Sequence, residues 1–508
     1  MKNRILLFSV IGFLSFSNSF AQKIELGYLE QQIHKLMKDF DVPGLSIGIV
    51  QNDAVLFSKG FGNLAIHKKT KVDENTIFGI GSISKSFTAL TLGILVDEGK
   101  INWDDKVTSH LPYFELYAPY VTNNFTIRDL LTHRSGLKSV SGGTLWYHSD
   151  KSRVDIIKGL KYLKPVSGFR EKPAYQNVMF VVASEIVKKV AGMTWDTFLK
   201  TRVFDKLKMS NSTSLAADRE ATVNLAQPHI WNEKYEKVTI KQEKGDNLSP
   251  GGFIYSSAKE MSNYMRLLLN DGTFNNEKIV NPKIVNEIFK PQILYPRGGA
   301  PFYNEFTSYG FGWWLTLKNG HKIIEHSGGI DGMRANLVMV KDMNLGFIIL
   351  TNEGNEPVIS LLTSILLEKF LNDPSYNIYN RVKKNRDKNL QRKKESPKQI
   401  VKIANTKPSL SITKYAGKYS DNMYGDILIN EIEGGELEIS FSHSTVFRGK
   451  LKHWHFDTFE IDWYDIRVPN GFLTFNFNAK REILGFSIDQ ENLLDVDFNE
   501  LEIQKKKD

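Results

Sequence analysis

The most restrictive feature of the sequence is a pair of strand-forming hairpins that lie far apart in the chain. Residues 45–50 and 55–57 have the pattern of strands joined by a polar turn, and residues 335–340 and 345–350 repeat this arrangement. The sequence between the hairpins is mostly helical in its apolar spacing. One sheet can pair strands from distant parts of a chain. We therefore predict an α/β fold with an antiparallel sheet flanked by helices and an all-helical insert.

The composition of the sequence changes after residue 372. Residues 373–408 are rich in Asn, Lys and Arg without apolar periodicity, which predicts a basic linker. Residues 409–508 contain short alternating segments separated by turns, a pattern typical of an antiparallel β-barrel. The predicted domains are thus a first domain at residues 22–372, this linker and a C-terminal barrel domain.

The first residues have the composition of a secretory signal. Lys2 and Arg4 precede an apolar run, and small residues end at Ala21, so we predict a signal peptide at residues 1–21 and an exported protein, periplasmic or secreted. The apolar run is shorter than the ~20 residues that span a bilayer, which leaves an uncleaved anchor as the alternative. No later segment is long and apolar enough to span a membrane.

Composition excludes several classes of function. The chain of 508 residues contains no cysteine, which rules out disulfides, thiol nucleophiles and thiolate metal sites. The formal charge of +9 is concentrated in residues 381–399, where nine Lys and Arg residues face two acidic ones. The rest of the chain is near neutral, so we predict no nucleic-acid partner. The basic run is interpreted as a solvated segment, with adhesion to anionic envelope polymers as the alternative.

Ser82 and Lys85 are three residues apart at the start of a predicted helix and therefore share one helical face. A serine hydroxyl becomes a good nucleophile when an adjacent base takes its proton, and a lysine of lowered pKa can be that base. The S-x-x-K pattern also occurs at Ser135, Ser256 and Ser411, so the pattern alone has little weight. Ser82 is singled out by its position at a helix start and by two further motifs that follow it in the chain.

Two further motifs follow in the chain, Tyr175-Gln176-Asn177 and His326-Ser327-Gly328-Gly329. With Ser82-x-x-Lys85 they give the order S-x-x-K, Y-x-N and K/H-x-G. In these motifs the chain resembles the serine β-lactamase and penicillin-binding-protein superfamily, in the class C-like branch that includes D-Ala-D-Ala carboxypeptidases, esterases and D-amino-acid peptidases. The resemblance covers residues 25–372. The tail resembles a lipocalin-like β-barrel that is often appended to these hydrolases.

The resemblance implies a role for each motif residue. Ser82 would attack a carbonyl carbon, Lys85 would help to deprotonate it, and Tyr175 would pass the proton to the leaving group. Asn177 would hold Lys85 or the substrate amide.

The third motif would complete the site. The backbone N–H groups of Ser82 and Gly329 would form an oxyanion hole, while His326 and Gly328 would support substrate binding. His326 stands where β-lactamases usually have lysine. With an ordinary pKa of ~6.5, it would be a weaker partner for a substrate carboxylate, which weakens the case for an efficient β-lactamase.

Other polar residues are given structural roles. His133 lies at the end of a short helix that Thr126 and Asp129 open as a capping box, and we predict that it is a packing or helix-end residue and not a catalyst. His453, His455 and Asp457 alternate along a predicted strand and share a face, as metal ligands could. The barrel resemblance accounts for that motif without a metal, so no metal and no cofactor are predicted.

The sequence predicts a serine hydrolase that acts through an acyl-enzyme on an amide or ester. The candidate substrates are small molecules or peptides, namely a small ester, a D-amino-acid peptide or a β-lactam, with cell-wall peptides among them. The alternative is a non-hydrolysing penicillin- or peptidoglycan-binding protein. The complete set of Ser82, Lys85 and Tyr175 argues against that alternative, because a pure binder has no need of all three.

Overall fold

The computed structural model describes residues 25–295, 306–395, 401–490, 493 and 495–506. The predicted signal peptide, residues 1–21, lies outside the described residues. Within the described ranges, no helix combines the length and apolar character required to cross a membrane.

The first domain is built on an eight-stranded antiparallel sheet. Its strands are β1 (Gly44–Gln51), β2 (Ala54–Gly62), β3 (Ile293–Leu294), β4 (Ser308–Tyr309), β5 (Trp314–Lys318), β6 (His321–Ile330), β7 (Met333–Val340) and β8 (Leu345–Thr351). Their order is β2-β1-β8-β7-β6-β5-β4-β3. Strand β1 pairs with β8, with Ile47 opposite Ile349, so the two predicted hairpins meet in one sheet. The predicted fold is confirmed.

Helices cover both faces of this sheet. The helices are α1 (Leu26–Asp39), α2 (Ser84–Asp97), α3 (Val107–His110), α4 (Pro119–Asn124), α5 (Ile127–Leu130), α6 (Gly143–Trp146), α7 (Arg153–Gly159), α8 (Val178–Ala191), α9 (Trp195–Leu199), α10 (Ala216–Glu220), α11 (Ser249–Gly252), α12 (Ala258–Leu269), α13 (Pro282–Ile288), α14 (Val358–Leu371) and α15 (Tyr379–Glu395). Phe347 and Ile349 of β8 pack against α1 and α14, whereas Ile348 and Leu350 pack in the cluster that contains α12. Because both faces are covered, every residue of β8 is buried.

The insert between β2 and β3 carries the first two motifs, whereas the third lies on β6. It is mostly helical, as predicted, but it is not all-helical, because it also contains three short pairs of antiparallel strands. Phe78–Gly79 pairs with Tyr255–Ser256, and further pairs join His229–Trp231 to Lys237–Thr239 and Thr273–Phe274 to Glu277–Lys278. The first pair fixes the chain just before Ser82. Two-residue ladders of this kind are too short to leave a periodic signal in the sequence.

The segment predicted as a basic linker is largely helical, which corrects that interpretation. Helix α15 occupies 17 residues of it. At the start of the helix, Tyr379 and Val382 pack against the cluster of α1 and α14. Tyr379 also donates a hydrogen bond to Asp39 at 2.6 Å, and Arg386 forms an ion pair with Glu356 at 2.6 Å. These tertiary contacts hold a helix whose sequence lacks apolar periodicity.

Replacing Arg386 tests whether α15 belongs to the first domain. The Glu356 side chain is only 3% exposed, so Arg386→Ala leaves a buried carboxylate without its guanidinium partner. We expect the free energy of unfolding to fall by about 2 kcal/mol in urea denaturation. The control Lys383→Ala removes an exposed ion pair with Asp387 and should change it by less than about 0.5 kcal/mol. Equal effects of the two variants would contradict the docking of α15.

The C-terminal domain is a closed antiparallel barrel, as predicted. Its strands are β9 (Gly417–Asp421), β10 (Gly425–Ile432), β11 (Glu436–Phe441), β12 (Ser444–His455), β13 (Thr458–Trp463), β14 (Gly471–Phe477), β15 (Ile483–Asp489) and β16 (Gln504–Lys505). Asp457 accepts hydrogen bonds from Ser409 and Tyr415, and His453 pairs with the Phe456 carbonyl. These contacts give the predicted His-Asp motif a structural role. Its likeness to lipocalins stays a prediction.

The barrel packs directly on the insert of the first domain. Tyr147 stacks on Phe447 with ring centroids 5.9 Å apart, within a hydrophobic cluster that continues from the insert into the barrel. Glu500 accepts a hydrogen bond from the Gly142 amide at 2.9 Å. His443 pairs with Asp150 at 2.7 Å. The end of the barrel chain is thereby held close to Ser82.

Candidate active site

Ser82 lies in the short helical turn Gly81–Ile83 that leads directly into α2. Gly81 has φ +54°, and a Cβ there would lie 2.2 Å from the Gly329 nitrogen. A Cβ on Gly328 would lie 1.9 Å from the Ile80 carbonyl oxygen. Only glycines allow β6 to approach the turn this closely. The structure therefore brings Gly328 and Gly329 of the third motif against the start of the helix that carries Lys85.

Lys85 is completely buried, and its amine nitrogen has three neighbours. Nζ lies 3.1 Å from Ser82 Oγ, 2.7 Å from Asn177 Oδ1 and 2.6 Å from the Gly251 carbonyl oxygen. The two carbonyl oxygens can only accept hydrogen bonds. A neutral amine has two N–H groups and one lone pair, so these oxygens take both N–H groups. The lone pair is left for the hydrogen of the Ser82 hydroxyl.

The electrostatic environment favours this neutral form. Burial lowers the pKa of Lys85 from its ordinary value to about 7, against the opposing influence of the Asp495 carboxylate. Ser84 and Ser86, the other hydroxyls of the segment, donate hydrogen bonds to the carbonyls of Gly81 and Ile83. Ser82 is thus the hydroxyl of this segment that faces the lysine.

The second motif approaches the Lys85 amine from another part of the insert. The Lys85 amine sits 4.7 Å from the centre of the half-buried Tyr175 ring, and Asn177 contributes the amide oxygen described above. The Tyr175 amide donates to the Tyr295 hydroxyl at 3.1 Å, which anchors the turn. The structure therefore brings Tyr175 and Asn177 to the same amine.

His326 is brought to this cluster from β6, with its ring centroid 6.4 Å from that of Tyr175. It is only 1% exposed. Its Nδ1 lies 2.6 Å from the Ser327 carbonyl, so this nitrogen is a donor, and its Nε2 lies 3.0 Å from the Tyr309 hydroxyl. Both ring nitrogens thus have partners within the protein, which argues against a role as the main cation for a substrate carboxylate.

Comparison with known proteins agrees with this geometry. The family model described as Beta-lactamase matches residues 29–367. The chain belongs to the beta-lactamase family. A second model, a domain of unknown function named DUF3471, matches residues 401–506, the barrel of this beta-lactamase-family protein.

Several characterised proteins are similar to this beta-lactamase-family chain. "Unguisins hydrolase ungD" of Aspergillus violaceofuscus is 24% identical over 81% of this chain and 78% of its own length. A penicillin-binding protein homologue from Pyrococcus abyssi, described as octameric, matches 92% of this chain and 99% of its own, with TM-score 0.61 and 21% identity. A D-stereospecific amidohydrolase from Streptomyces matches 68% of this chain and 99% of its own, with TM-score 0.55 and 20% identity. The two structures show the fold, and the family together with its hydrolase-named relatives supports a hydrolase.

His133 lies nearer to the site of this beta-lactamase-family protein than its predicted packing role suggested. The predicted capping box of Thr126 and Asp129 is present. After it, His133 Nδ1 accepts a hydrogen bond from the Gln176 amide at 3.0 Å, and its ring centroid is 4.3 Å from that of Tyr175. Burial and the nearby Lys85 charge hold the pKa of His133 well below its usual range. A neutral His133 therefore supports the turn that carries Tyr175.

The cavity beside Ser82 also has an acidic wall that the sequence analysis missed. Ser82 and Gly329 line it together with Glu243, Asp331 and Asp495, and the space between them is about 20 Å³, of the order of one water molecule. Burial raises the pKa of Glu243 to about 7. No motif marked these residues, because each comes from a different loop.

Glu243 and Asp331 also form a cluster with His148, whose ligand atoms lie within 4.8 Å of one another. The His148 amide donates to Glu243 at 2.6 Å, and Tyr147 donates to Asp331 at 2.9 Å. Each of the two carboxylates therefore has a hydrogen-bond donor within the protein. A larger groove of about 810 Å³ lies between the insert and the barrel, but its lining does not include Ser82.

Proposed function

We propose that this beta-lactamase-family protein is a serine hydrolase that cleaves an amide or ester through an acyl-enzyme on Ser82. The observation that carries the proposal is the position of the buried Lys85 amine. It lies 3.1 Å from Ser82 Oγ and within 2.7 Å of two carbonyl oxygens; in the neutral amine these oxygens would take both N–H groups and leave the lone pair for the serine hydroxyl. This arrangement supports a base that removes the serine proton as the oxygen attacks.

We propose the following steps for the reaction. Ser82 Oγ forms a bond to the substrate carbonyl carbon while its proton moves to Lys85 Nζ. The carbonyl oxygen becomes an oxyanion, for which the backbone N–H groups of Ser82 and Gly329 would be the donors. Collapse of the intermediate breaks the bond to the leaving group, which receives the proton from Lys85 through the Tyr175 hydroxyl. Water then hydrolyses the acyl-enzyme, and its proton follows the reverse path.

The surroundings of the serine favour a substrate without a carboxylate at the position that the third motif contacts. His326 is engaged with Ser327 and Tyr309, and acidic groups line the adjoining cavity. A small ester or a D-amino-acid amide is therefore a better candidate than a β-lactam, whose carboxylate needs a cationic partner. The names of the hydrolase and the D-stereospecific amidohydrolase reported above support the same class. We propose that the enzyme acts after export.

Covalent labelling tests the proposal. The wild-type protein, incubated with a fluorophosphonate, should gain the mass of one phosphonyl group, and Ser82→Ala should gain none. Turnover of p-nitrophenyl esters, D-aminoacyl p-nitroanilides and nitrocefin then separates the substrate classes. Stable labelling without turnover of any of them would favour a non-hydrolysing binder, and labelling that persists in Ser82→Ala would refute the nucleophile.

The rate of ester hydrolysis should depend on pH through Lys85. Its pKa is lowered to about 7, and only the neutral amine can accept the serine proton. We expect kcat/KM to fall as the pH drops through about 7 and to level off above it, measured between about pH 5.5 and 8.5. Glu243 has a pKa of about 7 as well, so Glu243→Gln is the control and should leave the midpoint in place. A flat profile would contradict the role of Lys85.

A further inference from the structure

One carboxylate at the site comes from the barrel and not from the hydrolase domain. Asp495 lies in the loop between β15 and β16, is half-buried and lines the cavity with Ser82. Its Oδ2 accepts a hydrogen bond from Asn177 Nδ2 at 3.0 Å. A residue near the end of the chain thus contacts the Y-x-N motif directly.

This contact determines which way the Asn177 amide points. An asparagine side chain has a donor end and an acceptor end, which could exchange places by a rotation of half a turn. An ionised Asp495 has only acceptors, so it holds the NH₂ end. The oxygen end is then directed to Lys85, at 2.7 Å from Nζ. In the opposite orientation, an NH₂ group would face the lysine N–H groups and the acceptor would be lost.

Asp495 also acts on Lys85 by its charge. Burial of Lys85 lowers the pKa of the amine, and the Asp495 carboxylate raises it, which opposes the effect of burial. Burial raises the pKa of Asp495, and the charges of Lys85 and Arg334 together with the Asn177 hydrogen bond oppose that effect. Asp495 therefore acts on the Lys85 amine in two ways, through the orientation of Asn177 and through its own charge.

We propose that Asp495 is a positioning residue for the base of the hydrolase. It orients Asn177 and Lys85 along the path Asp495–Asn177–Lys85–Ser82, so that the barrel completes the active site. This inference rests on the proposed function, because it assigns Asp495 an effect on the Lys85–Ser82 pair.

Gly143 offers an independent way to disturb Asp495. A Cβ on Gly143 would lie 1.5 Å from the Asp495 carbonyl oxygen, so Asp495 can occupy this position only because residue 143 is a glycine. Gly143 is the first residue of α6, where alanine is compatible with the backbone. Gly143→Ala therefore displaces the Asp495 main chain without removing a polar group from the site.

The experiment is a pH profile of kcat/KM for a p-nitrophenyl ester with the full chain. In Asp495→Asn the side chain can still accept from Asn177 but has no charge. We expect the acid limb to move to lower pH by about one unit, because the pKa of Lys85 falls further. We expect the plateau to drop about threefold, because a less basic amine removes a proton less readily. Asp495→Ala, which also loses the acceptor, should lower the plateau at least about tenfold.

The matched control is Asp489→Asn, which removes an exposed carboxylate from β15. Its profile should coincide with that of the wild type. Gly143→Ala should move the acid limb in the same direction as Asp495→Asn. It provides a second measurement if Asp495→Asn proves unstable in thermal unfolding.

The outcomes separate this inference from the proposed function. If Ser82-dependent hydrolysis is present but Asp495→Asn and Gly143→Ala keep the wild-type acid limb, or move it to higher pH, the positioning role is wrong and the proposed function stands. If hydrolysis by the wild type does not require Ser82, the proposed function itself fails. A shift in both variants, absent from Asp489→Asn, supports the positioning role.

Discussion

Ser82→Ala is expected to lower kcat/KM for ester hydrolysis by about 10⁴-fold or more, because the acyl-enzyme cannot form without the hydroxyl. Substrate binding should change little, since the variant removes one oxygen from a half-buried residue. Steady-state kinetics measure the loss of kcat/KM, and the intact mass of the quenched reaction shows whether an acyl-enzyme forms.

The chain offers a matched control for this variant in a second S-x-x-K pattern. Ser411 and Lys414 lie on an exposed turn before the barrel. Ser411→Ala removes the same atom from the same pattern and should leave kcat/KM unchanged. Activity of Ser82→Ala within about tenfold of the wild type would show that another group is the nucleophile.

Lys85→Met is the variant with the next largest expected effect. Methionine has nearly the length of lysine but cannot accept a proton, so it fills the buried space while it removes the base. We expect kcat/KM to fall by about 10² to 10⁴-fold, the usual range for loss of a general base. The acid limb near pH 7 should disappear from the residual activity.

Lys414→Met is the control for this second variant, since it removes the exposed amine of the Ser411-x-x-Lys414 pattern. It should behave as wild type. If Lys85→Met loses less than about tenfold, Lys85 does not serve as the base, and a proton path through Tyr175 alone would have to be considered. Far-UV circular dichroism of both variants shows whether they are folded.

The α/β fold and the approach of Ser82 to Lys85 could be predicted from the sequence, for physical reasons that can be named. Three residues along a helix place Ser82 and Lys85 on one face, so their 3.1 Å approach follows from local geometry. Tyr175, Asn177 and His326 could be assigned only through the resemblance to a family, because no local rule brings distant loops to one helix start.

Other features left no signal in the sequence. The Gly251 carbonyl that binds Lys85 is a backbone atom, and its identity depends on how α11 approaches α2. Asp495 lies in a different domain from Asn177, and its role depends on how the barrel docks. Helix α15 is held by Arg386 and Tyr379 rather than by periodic apolar residues. Each of these depends on tertiary contacts that a linear pattern does not encode.

The pairing of β1 with β8 has a consequence for biosynthesis. Leu45 lies opposite Thr351, so strand β1 has no neighbour on that side until nearly the whole first domain has left the ribosome. Such distant pairing slows folding and leaves apolar strand edges exposed in the meantime. We therefore expect the sheet to be completed only after β8 has been synthesised.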